Sequence, residues 1–424
     1  MKTLFIGSVV SQDTADYITL NSRVKPSVAP INFQRNLIKG LSKYVAPKDM
    51  SIISLPPVAT YPNGCFLSWG NKTGKIFGYL IHFIPTVNLP IIKQISSFFS
   101  TLVLCIHWSW KNREEKNKIV LVYGQTAYVA LAQILICGLF RIKSCNIVTD
   151  PIRYRSDFKN LNLVKQLLIK FQWYLTERIK NEYSSFVLLT ESMVKDYISN
   201  RKPYIILEGI ADPDIFKGIE TTPKADPPVI MYSGAISEGF GIPKLLDSFR
   251  KVNENVQLWL FGSGTCEEAI KKAQNADKRI KYWGKVPWRE LLRHMKEATL
   301  LLSVKPVNAS HSEYQFPSKI MEYMSSGTPV LATRVKGIPD EYFDYIFPIE
   351  NDSIEGFVDA ITTVSTIDIE ELKKRGILAK QFISEQKNCY IQAKRVITLL
   401  ESVLSDEGED AYESNKNTRG KRKG

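Results

Sequence analysis

Histidine and cysteine are scarce in this 424-residue chain, and neither is arranged for chemistry. The four histidines (82, 107, 294 and 311) make no metal-ligand pattern, and the six cysteines (65, 105, 137, 145, 266 and 389) include no C-x-x-C pair. Zinc modules and dithiol redox sites are thereby excluded, and the cysteines read as reduced core thiols of a reducing compartment. No Asp/Glu cluster offers a metal site either. The N-terminal segment is not expected to be a cleavable leader. Met1-Lys-Thr-Leu-Phe-Ile-Gly-Ser8 is apolar but lacks an Ala-x-Ala site, so it reads as a first buried strand. Long hydrophobic runs are also lacking. Residues 119–140 are free of charge, but Gly124-Gln125-Thr126 splits them into a strand-like and a helix-like piece. Each is shorter than the roughly 20 residues a spanning helix needs. Residues 95–110 are uncharged as well, though diluted by Ser and Thr; Phe98, Phe99, Trp108 and Trp110 there are either core or an outward apolar face.

What is present is an excess of basic residues, with a net charge of +13. Nucleic acid, an anionic membrane surface and anionic substrates all fit that sign. The basic residues are scattered, and no helix-turn-helix, zinc-finger or RNP pattern accompanies them, so nucleic acid is the weakest of the three. The hydrophobic content of 44% is that of a globular protein, and the length calls for two domains.

From residue 229 apolar strands and amphipathic helices alternate: 229–232, 257–261, 279–283, 299–303 and 329–332 as strands, with helices at 241–252, 267–276, 288–297 and 318–326. That alternation predicts a parallel sheet covered by helices on both faces. The first half repeats the style with strands at 4–7, 51–55, 119–123, 146–149 and 186–189, and helices at 32–44, 126–142 and 164–183. Ala211-Asp-Pro-Asp214 is placed as a hinge between two doubly wound α/β domains, spanning 1–208 and 209–384. One or two helices follow within 369–403, of which 385–404 packs back on the first domain. The tail 405–424 lacks apolar periodicity and is expected to be disordered.

The densest chemical signal is Glu313 to Thr333. Ser318 is expected to N-cap a short helix, Ile320 and Met324 share one face, and Gly327 ends it. Lys319 is then out of place, because a cation in the first turn opposes the macrodipole by about 0.3–1 kcal/mol. A bound phosphate would repay it. Glu322, one turn on, can accept from a sugar hydroxyl pair. The plain alternative is a surface lysine beside an exposed glutamate. Glycine-rich loops follow several strands: Ser233-Gly234, Gly239-Phe-Gly241 and Gly262-Ser-Gly264. Each alone is turn punctuation, but together they sit at the carboxyl edge of one sheet, where open α/β folds bind ligands. Lys305, after the strand 299–304, is a further candidate phosphate partner.

These segments carry a resemblance. "FPSKIMEYMSSGTPVLAT", "GAISEGFGI", "LWLFGSG" and "KGIPDEYFDYIFPI" resemble the nucleotide-sugar-dependent glycosyltransferases of GT-B fold, in particular the retaining group that builds capsular, exo- or O-polysaccharides. The resemblance is strong over 229–350 and moderate over 145–215, through "NIVTDPIRYRS", "LLTESM" and "ILEGIAD". It implies that Glu322 is the second glutamate of a Glu-x7-Glu motif binding the nucleotide ribose. It places Ser318 and Lys319 at the donor diphosphate, Gly262, Gly264 and Gly284-Lys-Val286 near the base, and Gly234 facing the diphosphate. Asp150 falls where related enzymes place a polar residue near the transferred sugar, so Asp150 and Lys319 are the catalytic candidates. Tyr314 stands where the first motif glutamate belongs, as it also does in polysaccharide enzymes with a Pro-Ser-Lys segment. The usual Arg and Lys after the first glycine are replaced by Ala235 and Glu238, and Lys305 and Lys319 can supply that charge.

The resulting expectation is a metal-independent, retaining sugar transferase without cofactor. Its donor is a UDP- or GDP-type sugar and its acceptor a lipid-linked saccharide or oligosaccharide. It would be cytoplasmic, attached peripherally to the inner membrane surface, with no nucleic-acid partner. The rival readings are a sugar-nucleotide epimerase on the same architecture and a non-catalytic scaffold.

Overall fold

The computed structural model describes residues 1–405 except 125, 150–162, 200–201, 221, 253–254 and 309–311. The chain divides into two compact units, residues 1–208 joined by 389 onward, and residues 209–388.

Among the described residues the first unit has ten strands. These are β1 (Lys2–Gly7), β2 (Met50–Ser54), β3 (Ser68–Trp69), β4 (Thr73–Ile76), β5 (Tyr79–Phe83), β6 (Thr86–Val87), β7 (Lys118–Tyr123), β8 (Lys143–Val148), β9 (Ser185–Leu188) and β10 (Tyr204–Ile206). Between them lie α1 (Gln12–Asn21), α2 (Val28–Leu41), α3 (Ile92–Lys111), α4 (Ala127–Leu139), α5 (Leu163–Ile179) and α6 (Val194–Tyr197). The main sheet runs β10-β9-β8-β7-β1-β2-β5-β4, parallel except where β4 turns back on β5. Its central strands are unbroken apolar runs such as Phe5-Ile6 and Ile119-Val-Leu-Val122, buried on both faces as a helix-covered parallel sheet requires. Residues 119–140 are thus β7 followed by α4, and among the described residues no helix is long and apolar enough to cross a membrane. Residues 95–110 lie within α3, where Trp108 is buried but Phe99 and Trp110 are exposed.

The second unit alternates strand and α-helix from β11 to β15. Its strands are β11 (Val229–Ala235), β12 (Gln257–Ser263), β13 (Ile280–Gly284), β14 (Leu300–Ser303), β15 (Val330–Thr333) and β16 (Phe347–Ile349). Its helices are α7 (Ile242–Phe249), α8 (Glu267–Ala276), α9 (Trp288–Glu297), α10 (Lys319–Ser326), α11 (Ile354–Ser365) and α12 (Ile369–Phe382). The sheet is parallel throughout, in the order β13-β12-β11-β14-β15-β16. Counted within the unit this is 3-2-1-4-5-6, the Rossmann order, whose direction reverses between its first and fourth strands. One apolar face of α7 (Ile242, Leu245, Leu246 and Phe249) closes over the sheet with Leu258, Leu260 and Leu302.

After α12 the chain makes a π-turn at Ile383–Lys387, whose exit pairs with the entry stretch through Ala211 N to Lys387 O at 3.0 Å. Helix α13 (Cys389–Leu404) then rejoins the first unit beside α2. Gly40 makes that approach possible, since a Cβ there would lie 2.0 Å from the Cys389 carbonyl oxygen. The returning helix begins at Cys389, four residues beyond the 385 read from the sequence, because the π-turn belongs to the second unit.

Candidate functional site

The reversal of strand order in the second unit falls between β11 and β14, so the loops leaving these strands are forced apart from their helices on opposite faces. Ligands bind in such a crevice. The loops are held by backbone-to-backbone packing. A Cβ on Gly262 would lie 1.8 Å from the Gly234 carbonyl oxygen, one on Gly264 2.2 Å from that of Ile236, and one on Gly241 2.2 Å from that of Val304. Gly241 also holds φ +80°. The Gly234 and Gly262–Gly264 loops are therefore tied to each other, and Gly241 to the stretch after β14, before any ligand is considered. Tyr282 adds a hydrogen bond from its hydroxyl to the Gly262 carbonyl at 2.9 Å.

Helix α10 is fixed to the same edge by Tyr323. Its fully buried hydroxyl accepts from the Ser233 amide at 2.8 Å and donates to the Ser233 carbonyl at 3.0 Å. Burial pushes its pKa up to about 12, so it stays a phenol and keeps its proton for that carbonyl. Ser233 precedes Gly234. One tyrosine thus brings the end of β11 beside the helix that carries Lys319 and Glu322.

Ser318 does not cap this helix as the sequence predicts. Its backbone is already αR (φ −54°, ψ −25°), whereas a side-chain cap needs an extended residue. The first turn is tight instead, with Ile320 N bonded to Pro317 O at 2.9 Å and Met321 N to Ser318 O at 3.2 Å. The Ser318 side chain is left exposed. Gly327 does end the helix, at φ +79°.

Lys319 is not bare either. Its Nζ lies 2.6 Å from Glu322 Oε2 and 5.2 Å from the centre of the Trp288 ring. The side chains are 31% and 17% exposed, so the pair is reachable from solvent but partly desolvated. The cation that opposes the helix dipole is thus neutralised by the anion that complements it. A half-exposed pair of this kind contributes about 0–1 kcal/mol and relieving the dipole returns about 0.3–1 kcal/mol. Lys319→Ala is accordingly expected to leave the ligand-free melting temperature nearly unchanged. A fall of many degrees in a thermal melt would contradict this account of the pair.

Lys305 follows β14 and donates from Nζ to Gln315 Oε1 at 2.6 Å, which anchors the stretch before Pro317. Gly337 packs against that stretch, where a Cβ would lie 2.0 Å from the Gln315 carbonyl oxygen. Asp352 holds the loop after β14 from the other side, accepting from Val307 N at 2.9 Å and pairing with Lys244 at 2.6 Å. Tyr314 lies in the short turn Ser312–Tyr314 and is 4% exposed, so its ring offers little surface to a ligand. Asp150 lies outside the described residues. Among the described residues no group of three or more His, Cys, Asp or Glu side chains is assembled for a metal ion.

The fold therefore gathers Gly234, Gly262 and Gly264 in one packed cluster and joins it through Tyr323 to the helix bearing Ser318, Lys319 and Glu322. Three contributors are not evident from the sequence: Tyr323, Gln315 and Trp288. Trp288, at the first turn of α9, is 42% exposed and faces the Lys319 ammonium. Its one sequence signal is an aromatic residue placed directly after the Gly284-Lys-Val-Pro loop. The arrangement combines a helix N-terminus, two lysines, a carboxylate and an exposed indole, all suited to an anionic, hydroxyl-bearing ligand.

Residues 227–366 match the family model described as glycosyl transferases group 1. The fold is similar to that of a sucrose-phosphate synthase from Thermosynechococcus elongatus (13% identity, 96% of this chain and 100% of that one, TM-score 0.64). It is similar to Anabaena HepE in complex with UDP (13% identity, 95% and 100%, TM-score 0.59). It is also similar to the lipopolysaccharide outer core galactosyltransferase WaaB (14% identity, 96% and 100%, TM-score 0.58). No curated protein sequence matches the chain. Residues 227–366 thus match the glycosyl transferases of group 1, within a chain whose α/β fold is that of GT-B glycosyltransferases.

Proposed function

We propose that this protein transfers a sugar from a nucleoside diphosphate sugar to a lipid-linked saccharide during cell-surface polysaccharide synthesis. The observation that carries the reading is the Lys319–Glu322 pair on α10, held by Tyr323 at the strand-order reversal of the family-matched unit. Donor binding would split the pair. Lys319 turns to the diphosphate and Glu322 accepts from the ribose hydroxyls. Lys305 and the α10 dipole add charge for the departing diphosphate. Stabilisation of that charge, together with positioning, supplies the catalysis. Asp150 is the polar residue assigned to the transferred sugar. Retention of configuration and independence of divalent metal belong to the same reading, as does an acceptor presented at the inner face of a membrane. The UDP in the HepE complex supports the nucleotide class.

Isothermal titration tests this reading. UDP or GDP is expected to bind and the matching free nucleoside to bind far more weakly. Lys319→Ala is expected to reduce the affinity for the diphosphate more than that for the nucleoside. Equal affinities for diphosphate and nucleoside would remove the phosphate site from the account.

A further inference from the structure

Helix α3 is turned inside out. Its buried face is small and largely polar (Ser97, Thr101, Cys105 and Ser109, each four residues apart, with Trp108). Its exposed face is large and apolar: Ile92, Ile95, Phe99, Val103, Ile106 and Trp110. These six recur at intervals of three and four, so they form one continuous stripe. Helix α4 packs against α3 and exposes Leu135 and Leu139. Helix α5 packs against α4 and exposes Leu163, Leu167, Phe171 and Tyr174, again on one face. Three neighbouring helices thus present apolar stripes where a soluble surface is expected to be polar. Apolar stripes of this length on neighbouring helices mark a surface that is ordinarily covered.

The charge of this region points to what covers it. Residues 92–149 and 163–182 contain eleven Lys and Arg against four Asp and Glu, so they hold seven of the thirteen net positive charges of the chain. The ends are placed together as well. Helices α3, α4 and α5 each lead into the parallel strands β7, β8 and β9, which are adjacent in the sheet, so their carboxyl ends share one edge. Lys111, Arg113, Arg141 and Arg178 stand there. Arg113 lies over Trp110 at 4.7 Å and Arg178 over Tyr174 at 5.3 Å, an aromatic and basic pairing suited to a headgroup layer. A second copy of this chain would oppose two faces of the same positive sign. An anionic lipid surface complements both the apolar stripes and the charge.

We infer that the α3–α4–α5 face lies on an anionic lipid bilayer, with the stripes among the outer acyl segments and the basic helix ends at the headgroups. This deepens the membrane-borne acceptor of the proposed function and rests on that reading for its purpose, though not for the binding itself. The test is flotation with phosphatidylglycerol–phosphatidylcholine vesicles and with pure phosphatidylcholine vesicles. The full-length protein is expected to float with the former, and salt is expected to weaken the binding without abolishing it. The double variant Phe99→Glu, Val103→Glu removes two exposed side chains from the stripe. It is expected to lower partition on the order of a hundredfold. Its circular dichroism and its affinity for UDP or GDP are expected to be unchanged. Vesicle binding equal to that of the unsubstituted protein would overturn the inference. So would a protein that ignores vesicles but forms dimers which the double variant dissociates. If flotation behaves as expected while no nucleotide sugar is turned over, the docking face stands and the proposed function falls.

Discussion

Gly262→Ala is expected to destabilise the second unit by about 3 kcal/mol or more. Gly262 holds φ +129°, a conformation that costs a residue with a Cβ about 1–3 kcal/mol. The new methyl would also lie 1.8 Å from the Gly234 carbonyl oxygen, an impossible distance. Relief requires moving backbone, because Gly234 and Gly262 are register partners in the β11–β12 pair. The strain and the clash therefore add, placing the variant in the severe tail of single substitutions. Gly284→Ala is the matched control. Gly284 has φ +66° but nothing within 4 Å of its Cβ position, so only the conformational cost applies. Thermal or urea unfolding of the two variants checks the comparison. Equal losses would mean that the loops at this edge are loose and not locked together.

Glu322→Ala is expected to weaken binding of the nucleoside diphosphate ten- to hundredfold. A hydrogen bond to a charged acceptor contributes about 1.5–3 kcal/mol, which corresponds to that range. The substitution also frees Lys319 from its partner, and a lysine without its carboxylate meets the diphosphate more readily. The two effects oppose each other, and they separate by ligand. Affinity for the free nucleoside, which makes the ribose contact but no phosphate contact, is expected to fall, whereas affinity for inorganic pyrophosphate, which makes only the phosphate contact, is expected to hold or rise. Calorimetry with both ligands reads the difference. An unchanged dissociation constant for the nucleoside would return Glu322 to the role of a helix-surface counterion.

The second unit was legible in the sequence because its periodicities are pure. The strand Val229-Ile-Met-Tyr and the helical stripe Ile242, Leu245, Leu246 and Phe249 bury the residues that their patterns mark. Elements with weaker signals went unread. Strands β3 and β6 have two residues each, too few to show alternation. Helix α3 hides its identity because its large apolar residues face outward and its Ser and Thr face inward, the reverse of an ordinary amphipathic helix. Local rules also misplace Ser318 as a cap. Pro317 and Ser318 start a tight turn, and the backbone accepts the amides that the hydroxyl would have taken.

The site was legible as a set of residue types and not as a set of contacts. The glycines were visible, but their first physical reason is the close approach of loop to loop, which needs the sheet register to be seen. Lys319 and Glu322 are three apart, a spacing that permits an ion pair, yet the sequence gives equal licence for both to face a ligand. Tyr323 acts across 90 residues through Ser233, and Gln315 across 10 through Lys305, and no periodic pattern announces either.

The most direct test of the central claim is turnover of a panel of UDP- and GDP-sugars in excess EDTA, with a lipid extract as acceptor source and mass spectrometry as readout. The account predicts that one nucleotide sugar is consumed, that its nucleoside diphosphate is released, and that a lipid-linked saccharide gains the mass of one sugar. Isomerisation of the sugar while it stays on its nucleotide, activity that appears only when magnesium or manganese is restored, or no turnover of any donor would contradict it.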